Sequence, residues 1–241
     1  MIELSDVSFS YPEATVLRGV DLHIAEGDSV AIIGPNGSGK STLLRLLCGL
    51  APKFSGRYRF DGEELNAARL ADARSAKAFH RRMGLLFQDS DAQLFCGSVY
   101  DEIAFGPRQM GLCEAEVAGR VGDLLGLFGL ERLESRVPYH LSGGEKRKVA
   151  LASVLALNPD AICLDEPMGG LDPKTKHAMR KLIKSLNASG KTIVCATHDF
   201  EYVDGLFRRA VVLSQEGRVA RDGPYPEVLA DREFLMAMNI V

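Results

Sequence analysis

Two short segments, far apart in the chain, carry groups suited to holding an anion. The first is Gly34-Pro35-Asn36-Gly37-Ser38-Gly39-Lys40-Ser41-Thr42, which satisfies GxxxxGK[ST] in full. Glycines at these spacings let the backbone curl until consecutive N–H groups face one anion. A helix opening at Ser41 adds its positive N-terminal end. Lys40 has the reach for the outer phosphates of a nucleotide, and the Ser41 hydroxyl suits a magnesium ion. The second segment, Leu141 to Ala150, reads LSGGEKRKVA. Ser142 is a good helix cap, and Ser142, Gly143 and Gly144 at a helix start form another anion-binding end. Glu145 in the first turn suits the helix dipole.

A third element supplies acid chemistry. Ala161-Ile162-Cys163-Leu164-Asp165-Glu166 reads as an apolar strand ending in two carboxylates. A buried strand delivers such residues to the carboxyl edge of the sheet, where α/β proteins bind ligands. Asp165 is suited to hold magnesium through water. Strand alternation sends Glu166 to the opposite face, where it would orient or deprotonate an attacking water.

These residues need a sheet to position them, and the chain has the length for one. Its 241 residues, 46% hydrophobic and 25% charged, suit one large α/β domain. A net charge of −3 offers no electrostatic case for nucleic acid or anionic lipid. Cysteines 48, 96, 113, 163 and 195 form no CxxC pair and read as small hydrophobes in a reducing compartment. No apolar run approaches the ~18 residues that span a bilayer, so a membrane role requires a partner.

Alternation over residues 2–11 predicts an edge strand, and 20–24 a second one. Ser29 to Ile33 is a buried strand leading into the glycine-rich loop, with a helix from Ser41 to about Cys48. Arg57 to Phe60 and the turn at Asp61-Gly62 predict an antiparallel piece. Residues 75–82 predict a basic-ended helix, followed by a strand from Met83 to Phe87. From about 89 to 157 the pattern is helical, with candidates at 97–105, 114–128 and 144–157. Strands return at 161–164, 192–196 and 210–213. A hairpin turns at Glu216-Gly217, and one helix over 225–238 closes the chain. The fold class is therefore α/β: a mainly parallel sheet, an N-terminal antiparallel β subdomain and a helical insert. The core comprises 1–88 and 158–241, and the insert about 89–157.

With its strand and helix contexts, this constellation resembles the ATP-binding-cassette ATPases over nearly the whole length. LSGGEKRKVA singles that family out among phosphate-loop enzymes. The resemblance implies ATP and magnesium as ligands and hydrolysis of ATP to ADP and phosphate. It implies a head-to-tail pair with a second cassette, identical or related. Ser142, Gly143 and Gly144 of one subunit would contact the γ-phosphate held by the other. It assigns Tyr11 to the adenine face, with a strand-end tyrosine packed on the core as the lesser alternative. Gln88 matches the glutamine that senses magnesium and the attacking water, and hinges core to insert. Asp172 matches the aspartate that crosses the interface, and His198 the switch histidine at the γ-phosphate. Met168-Gly169 departs from the family's small pair, so side-chain hydrogen bonds there are not expected.

Gln88 to Phe95 and Val99 to Pro107 resemble the energy-coupling-factor branch, which includes cobalt, nickel and vitamin importers. There this surface receives coupling helices of a transmembrane partner. Leu94, Phe95 and Phe105 would line such a groove, or simply pack the insert. The resemblance implies a transmembrane coupling subunit and a substrate-binding membrane subunit. It places the chain at the cytoplasmic face of a prokaryotic membrane. A conventional importer or exporter and a soluble ATPase of cofactor assembly are the alternatives.

Overall fold

The computed structural model describes residues 1–240, apart from the side chain of Glu201. The chain opens with strands β1 (Ile2–Tyr11), β2 (Ala14–Ile24) and β3 (Ser29–Ile33), then helix α1 (Lys40–Leu47). Next come β4 (Phe54–Phe60), β5 (Glu63–Glu64), α2 (Ala67–Ala71), α3 (Ala73–Arg82) and β6 (Met83–Leu86). Helices α4 (Val99–Gln109), α5 (Glu114–Phe128) and α6 (Gly143–Leu155) follow without an intervening strand. The last part alternates: β7 (Ala161–Asp165), α7 (Pro173–Ala188), β8 (Thr192–Ala196), α8 (Phe200–Val203), β9 (Arg209–Leu213), β10 (Val219–Pro224), α9 (Tyr225–Ala230) and α10 (Arg232–Ala237).

Two sheets result. The first is antiparallel with order β2-β1-β4-β5, and the second has order β10-β9-β3-β8-β7-β6. Within the second, β9, β3, β8, β7 and β6 run parallel and β10 is antiparallel to β9. The α/β class with its β subdomain and helical region agrees with the sequence reading.

β3, β7 and β8 are buried at every position, and the pleat sends alternate residues to two separate cores. Val30, Ile32, Ala161, Cys163, Val194 and Ala196 join α1 and the antiparallel sheet in one core. Ala31, Ile33, Ile162, Leu164, Ile193 and Cys195 face the other, built with α4 to α7. By parity Asp165 therefore falls on the α1 side. Cys48, Cys163 and Cys195 are buried free thiols, as their apolar settings suggested.

Four local readings need correction. β1 is not an edge strand, because it pairs with β2 on one side and β4 on the other. Its alternation reports one wet face of an antiparallel sheet, with Ile2, Leu4, Val7 and Phe9 turned inward. The strand before Gln88 stops at Leu86, since Phe87 N–H turns away to the Gln93 side chain at 3.1 Å. The first insert helix starts at Val99, where Ser98 caps it, and runs on through Pro107 to Gln109. The C-terminal segment is two short helices, not one. Asp231 breaks it by capping α10 through Phe234 N–H and pairing with Arg221 at 2.6 Å.

Helix α7 has no counterpart among the elements expected from patterning, yet its start is well marked: Asp172 caps it and Pro173 occupies its first turn. Among the described residues, no helix is long and apolar enough to cross a membrane.

Tyr58 joins the β subdomain to the phosphate-loop helix. Its ring is fully buried and its hydroxyl donates to Leu47 O at 2.7 Å. That carbonyl belongs to the last turn of α1, which the helix itself cannot satisfy. Tyr58→Phe should cost about 1–2 kcal/mol in urea unfolding with an unchanged m-value. A loss within error would show that the carbonyl finds another donor.

Candidate active site

β3 ends against Gly34, and the chain turns through Gly37 (φ 81°) and Gly39 (φ 95°) into α1. Gly34 has no room for a side chain. A Cβ there would sit 2.5 Å from Leu213 O and 2.7 Å from Ser38 Oγ. Lys40 folds back over the loop, donating to Gly34 O at 2.7 Å and Pro35 O at 3.0 Å. Ser38 Oγ is buried without a hydrogen-bond partner, inside a loop whose glycines open it toward an anion. A phosphate oxygen is the acceptor such a group lacks, so the loop fits a nucleotide triphosphate.

A cleft of about 510 Å³ opens above this loop. It is lined by Val16, Asn36, Gly37, Gly39, Lys40, Ser41, Thr42, Gln88, Asp165, Glu166 and His198. Most of these arrive at the carboxyl ends of parallel strands: the loop after β3, Gln88 after β6, Asp165 at β7 and His198 after β8. Parallel register brings Asp165 beside Ala196 and Ile32 beside Ala196, so the strand ends share one edge.

Asp165 meets α1 as parity requires and accepts a hydrogen bond from Ser41. Burial pushes its pKa up, with Glu166 adding to the rise, against that hydrogen bond and the cations Arg45 and Lys40. Burial likewise lowers Lys40, opposed by Glu166 and Asp165. The cleft thus holds a lysine and two carboxylates at close quarters before any ligand enters. A divalent cation would be stabilised by the carboxylates, and polyphosphate by Lys40 and the loop. The donor set fits Mg²⁺: a hydroxyl, a carboxylate and the Gln88 amide, all oxygen ligands.

Glu166 does not point to the opposite face, as alternation suggested. It stands one residue past β7 with φ 48°, and its N–H donates to Ala196 O at 2.9 Å. This left-handed turn brings the carboxylate round to the same cleft as Asp165. Such a conformation in a residue other than glycine is uncommon and concentrates at functional positions. Glu166 Oε1 lies 2.7 Å from His198 Nδ1. The carboxylate accepts, so Nδ1 carries a proton. Sequence spacing gave no sign of this pair, because it depends on β7 and β8 being neighbours.

The remaining candidates lie outside the cleft lining. Tyr11 is exposed at the end of β1, edge-on to Phe9 at 4.9 Å. The apolar wall residue is instead Val16, which no motif marked. Ser142 caps α6, with its N–H and Oγ both donating to Glu145 Oε2 at 2.8 and 2.7 Å. This capping box holds Glu145 below the usual carboxylate range. Ser142 and Gly143 are exposed, with Gly144 half-buried behind them. Asp172 caps α7, accepting from Thr175 N and Oγ1 at 3.1 and 2.5 Å, which lowers its pKa. Met168 is buried in the core, which explains the absence of a polar side chain there.

Asp165→Asn should raise the Tm of the nucleotide-free protein by a few degrees and abolish magnesium-dependent hydrolysis. The sign follows from its raised pKa. A carboxyl that binds its proton more tightly when folded costs nothing below its unfolded pKa, and its penalty grows from there until it is complete above the folded pKa. The wild type should therefore gain on the variant as pH falls toward the ordinary carboxylate range, which a melting series at several pH values would measure. An unchanged Tm at pH 7 would refute the burial penalty.

A protein-family model described as ABC transporter matches residues 17–169, more than half of the chain. The chain is 47% identical over 222 residues to the nickel import ATP-binding protein LarO of Lactiplantibacillus plantarum, covering 92% of each. It is 39% identical to the energy-coupling factor transporter ATP-binding protein EcfA of Methanothermobacter thermautotrophicus, over 100% of this chain and 76% of that one. Among solved structures, cbiO1 of Clostridium perfringens, described as part of the ABC transporter complex cbiONQ, superposes with a TM-score of 0.82. That match has 35% identity and covers 99% of this chain and 94% of the other. With its phosphate loop, paired carboxylates and signature helix, the chain belongs to the ABC transporter family and is one of its ATP-hydrolysing subunits.

Proposed function

We propose that this chain is the ATPase subunit of an energy-coupling-factor importer for a small solute, a transition-metal ion such as nickel or cobalt or else a vitamin. It works as a head-to-tail pair of cassettes at the cytoplasmic face of the membrane. The observation that carries the pair is the incomplete cleft. The anion-binding start of α6 is exposed and capped, yet lies outside the lining of the phosphate cleft in the same chain. A second cassette, identical or related, would bring its Ser142, Gly143 and Gly144 to the outer phosphate. Asp172, held ionised at the start of α7, would cross the same interface.

Within each cleft the phosphate loop from Gly34 to Thr42 cradles the triphosphate, and Tyr11 takes the adenine face. Ser41, Asp165 and Gln88 would hold Mg²⁺, which when bound neutralises phosphate charge. Glu166 orients and deprotonates the attacking water. His198 donates from Nδ1 to Glu166 and fixes that carboxylate; with Nε2 protonated as well, its other edge would donate to the γ-phosphate and stabilise the charge there. Transfer to water is then mainly positioning and charge stabilisation. Loss of the γ-phosphate removes the contacts that hold the pair shut, and the cassettes reopen.

A membrane partner is supported by the surface just beyond Gln88. Phe95 is 68% exposed and Phe105 42%, and their rings meet edge-on at 4.9 Å. Two aromatics held together in solvent suit an amphipathic helix from a transmembrane coupling subunit. Leu94 instead packs against the core. The metal importers among the relatives support the substrate class.

Glu166→Gln should bind ATP but hydrolyse it roughly 100- to 10,000-fold more slowly. With ATP and Mg²⁺ it should accumulate as a closed dimer in light scattering, and a monomer at saturating ATP would refute the pair. The tagged chain should also leave solubilised membranes with a small transmembrane subunit. Phe95→Ser with Phe105→Ser should lose that partner while retaining the closed dimer. Recovery only in the soluble fraction would refute the transporter assignment.

A further inference from the structure

Gln88 stands two residues beyond the end of β6, and its loop is held largely by α6. Arg147 Nη1 donates to Phe87 O at 2.5 Å and Nη2 to Gln88 O at 2.6 Å. Gln93 receives Phe87 N–H and donates to Ala150 O, both at 3.1 Å. Lys146 pairs with Asp91 at 2.6 Å. Arg147, Ala150 and Lys146 are all residues of the helix that Ser142 caps.

Arg147 is a costly residue for simple packing. Its side chain is buried, and both its hydrogen bonds go to carbonyls rather than to a carboxylate. Burial lowers its pKa, while Asp165, Asp89 and Glu166 act from nearby to raise it. A guanidinium keeps its proton under such pressure, so a full charge is buried beside the cleft. A methionine would fill similar space without that cost. What only arginine supplies is a planar fork able to grip two successive carbonyls at once.

We propose that Arg147 is a positioning residue for Gln88, tying its place in this subunit's own cleft to the start of the helix that meets the partner's nucleotide. This rests on the head-to-tail pairing of cassettes. Arg147 lies five residues along α6 from Ser142, about 7.5 Å at helical rise. A packed helix of this length moves as one body. Any shift that seats Ser142 against the partner's phosphate is therefore delivered to the carbonyls of Phe87 and Gln88. One site reports its occupancy to the other through α6, with the Arg147 guanidinium as the helix's grip on the Gln88 carbonyl.

The test is a double-mutant cycle on the full chain, combining Arg147→Met with Gln88→Ala. Arg147→Met should lower kcat about 10- to 100-fold, as misplacement of a positioned group does. It should raise the Mg²⁺ concentration giving half the maximal rate and abolish cooperativity in ATP, while ATP affinity stays within about twofold. In the Gln88→Ala background it should cost almost nothing more, because the Arg147 grip acts through the placement of a side chain that is no longer there. Arg147→Lys, with one donor able to reach a carbonyl, should recover part of the rate. Should Arg147→Met fail to fold, the same cycle run with Arg147→Lys decides between coupled and independent losses. Losses that multiply, an inert Gln88→Ala, or ATP binding that falls in step with the rate would each overturn the role of Arg147. If Glu166→Gln closes on ATP while the cycle is multiplicative, only Arg147 is refuted. If Glu166→Gln never closes, the head-to-tail pairing itself falls.

Discussion

The parallel register of β3, β8, β7 and β6 is the constraint on which the rest of the structure depends. Each of these strands ends at the same edge, so the loop or residue that follows it joins a single cleft. The glycine-rich loop, Gln88, the carboxylates and His198 come from four places in the chain. None of them is brought to the cleft by its sequence neighbours alone. Their meeting follows from a sheet buried on both faces, which the two hydrophobic cores clamp from either side.

Charge is the second constraint. Lys40, Asp165 and Arg147 are each buried enough for their surroundings to oppose the charge they carry. Their mutual attraction only partly offsets that cost. Such a site is under-satisfied without ligand, and the partnerless Ser38 hydroxyl is the local sign of it. A polyphosphate with its cation would relieve all of these at once. The helix starts at Ser142 and Asp172 obey the opposite rule. They are exposed and already satisfied by internal caps.

Much of this was legible in the chain itself. The phosphate loop could be read because its chemistry is local: glycines, a lysine and a hydroxyl at fixed spacing. The strand ending in Asp165 could be read because burial on both faces leaves an uninterrupted apolar run. Parity also foretold that Asp165 and Glu166 would separate, and there it misled. Parity applies only within a strand, and Glu166 lies beyond it in a left-handed turn. The edge position expected for β1 failed for a related reason, since alternation records which face is wet and not how many neighbours a strand has.

The sequence by itself determined the ligand class, the residues that could grip it and the α/β class, because each rests on residue type and short-range spacing. Tertiary structure decided which of those residues share a cleft. It joined His198 to Glu166, placed Val16 rather than Tyr11 in the wall, and left Ser142 and Asp172 outside. It also revealed Arg147 gripping the Gln88 loop, a contact between residues 59 positions apart. No motif encodes such contacts, since they depend on how strands pair and helices pack across long stretches of chain. The physical reason is that spacing along a strand or helix is set by bond geometry, whereas distance across the fold is set only when the two cores close.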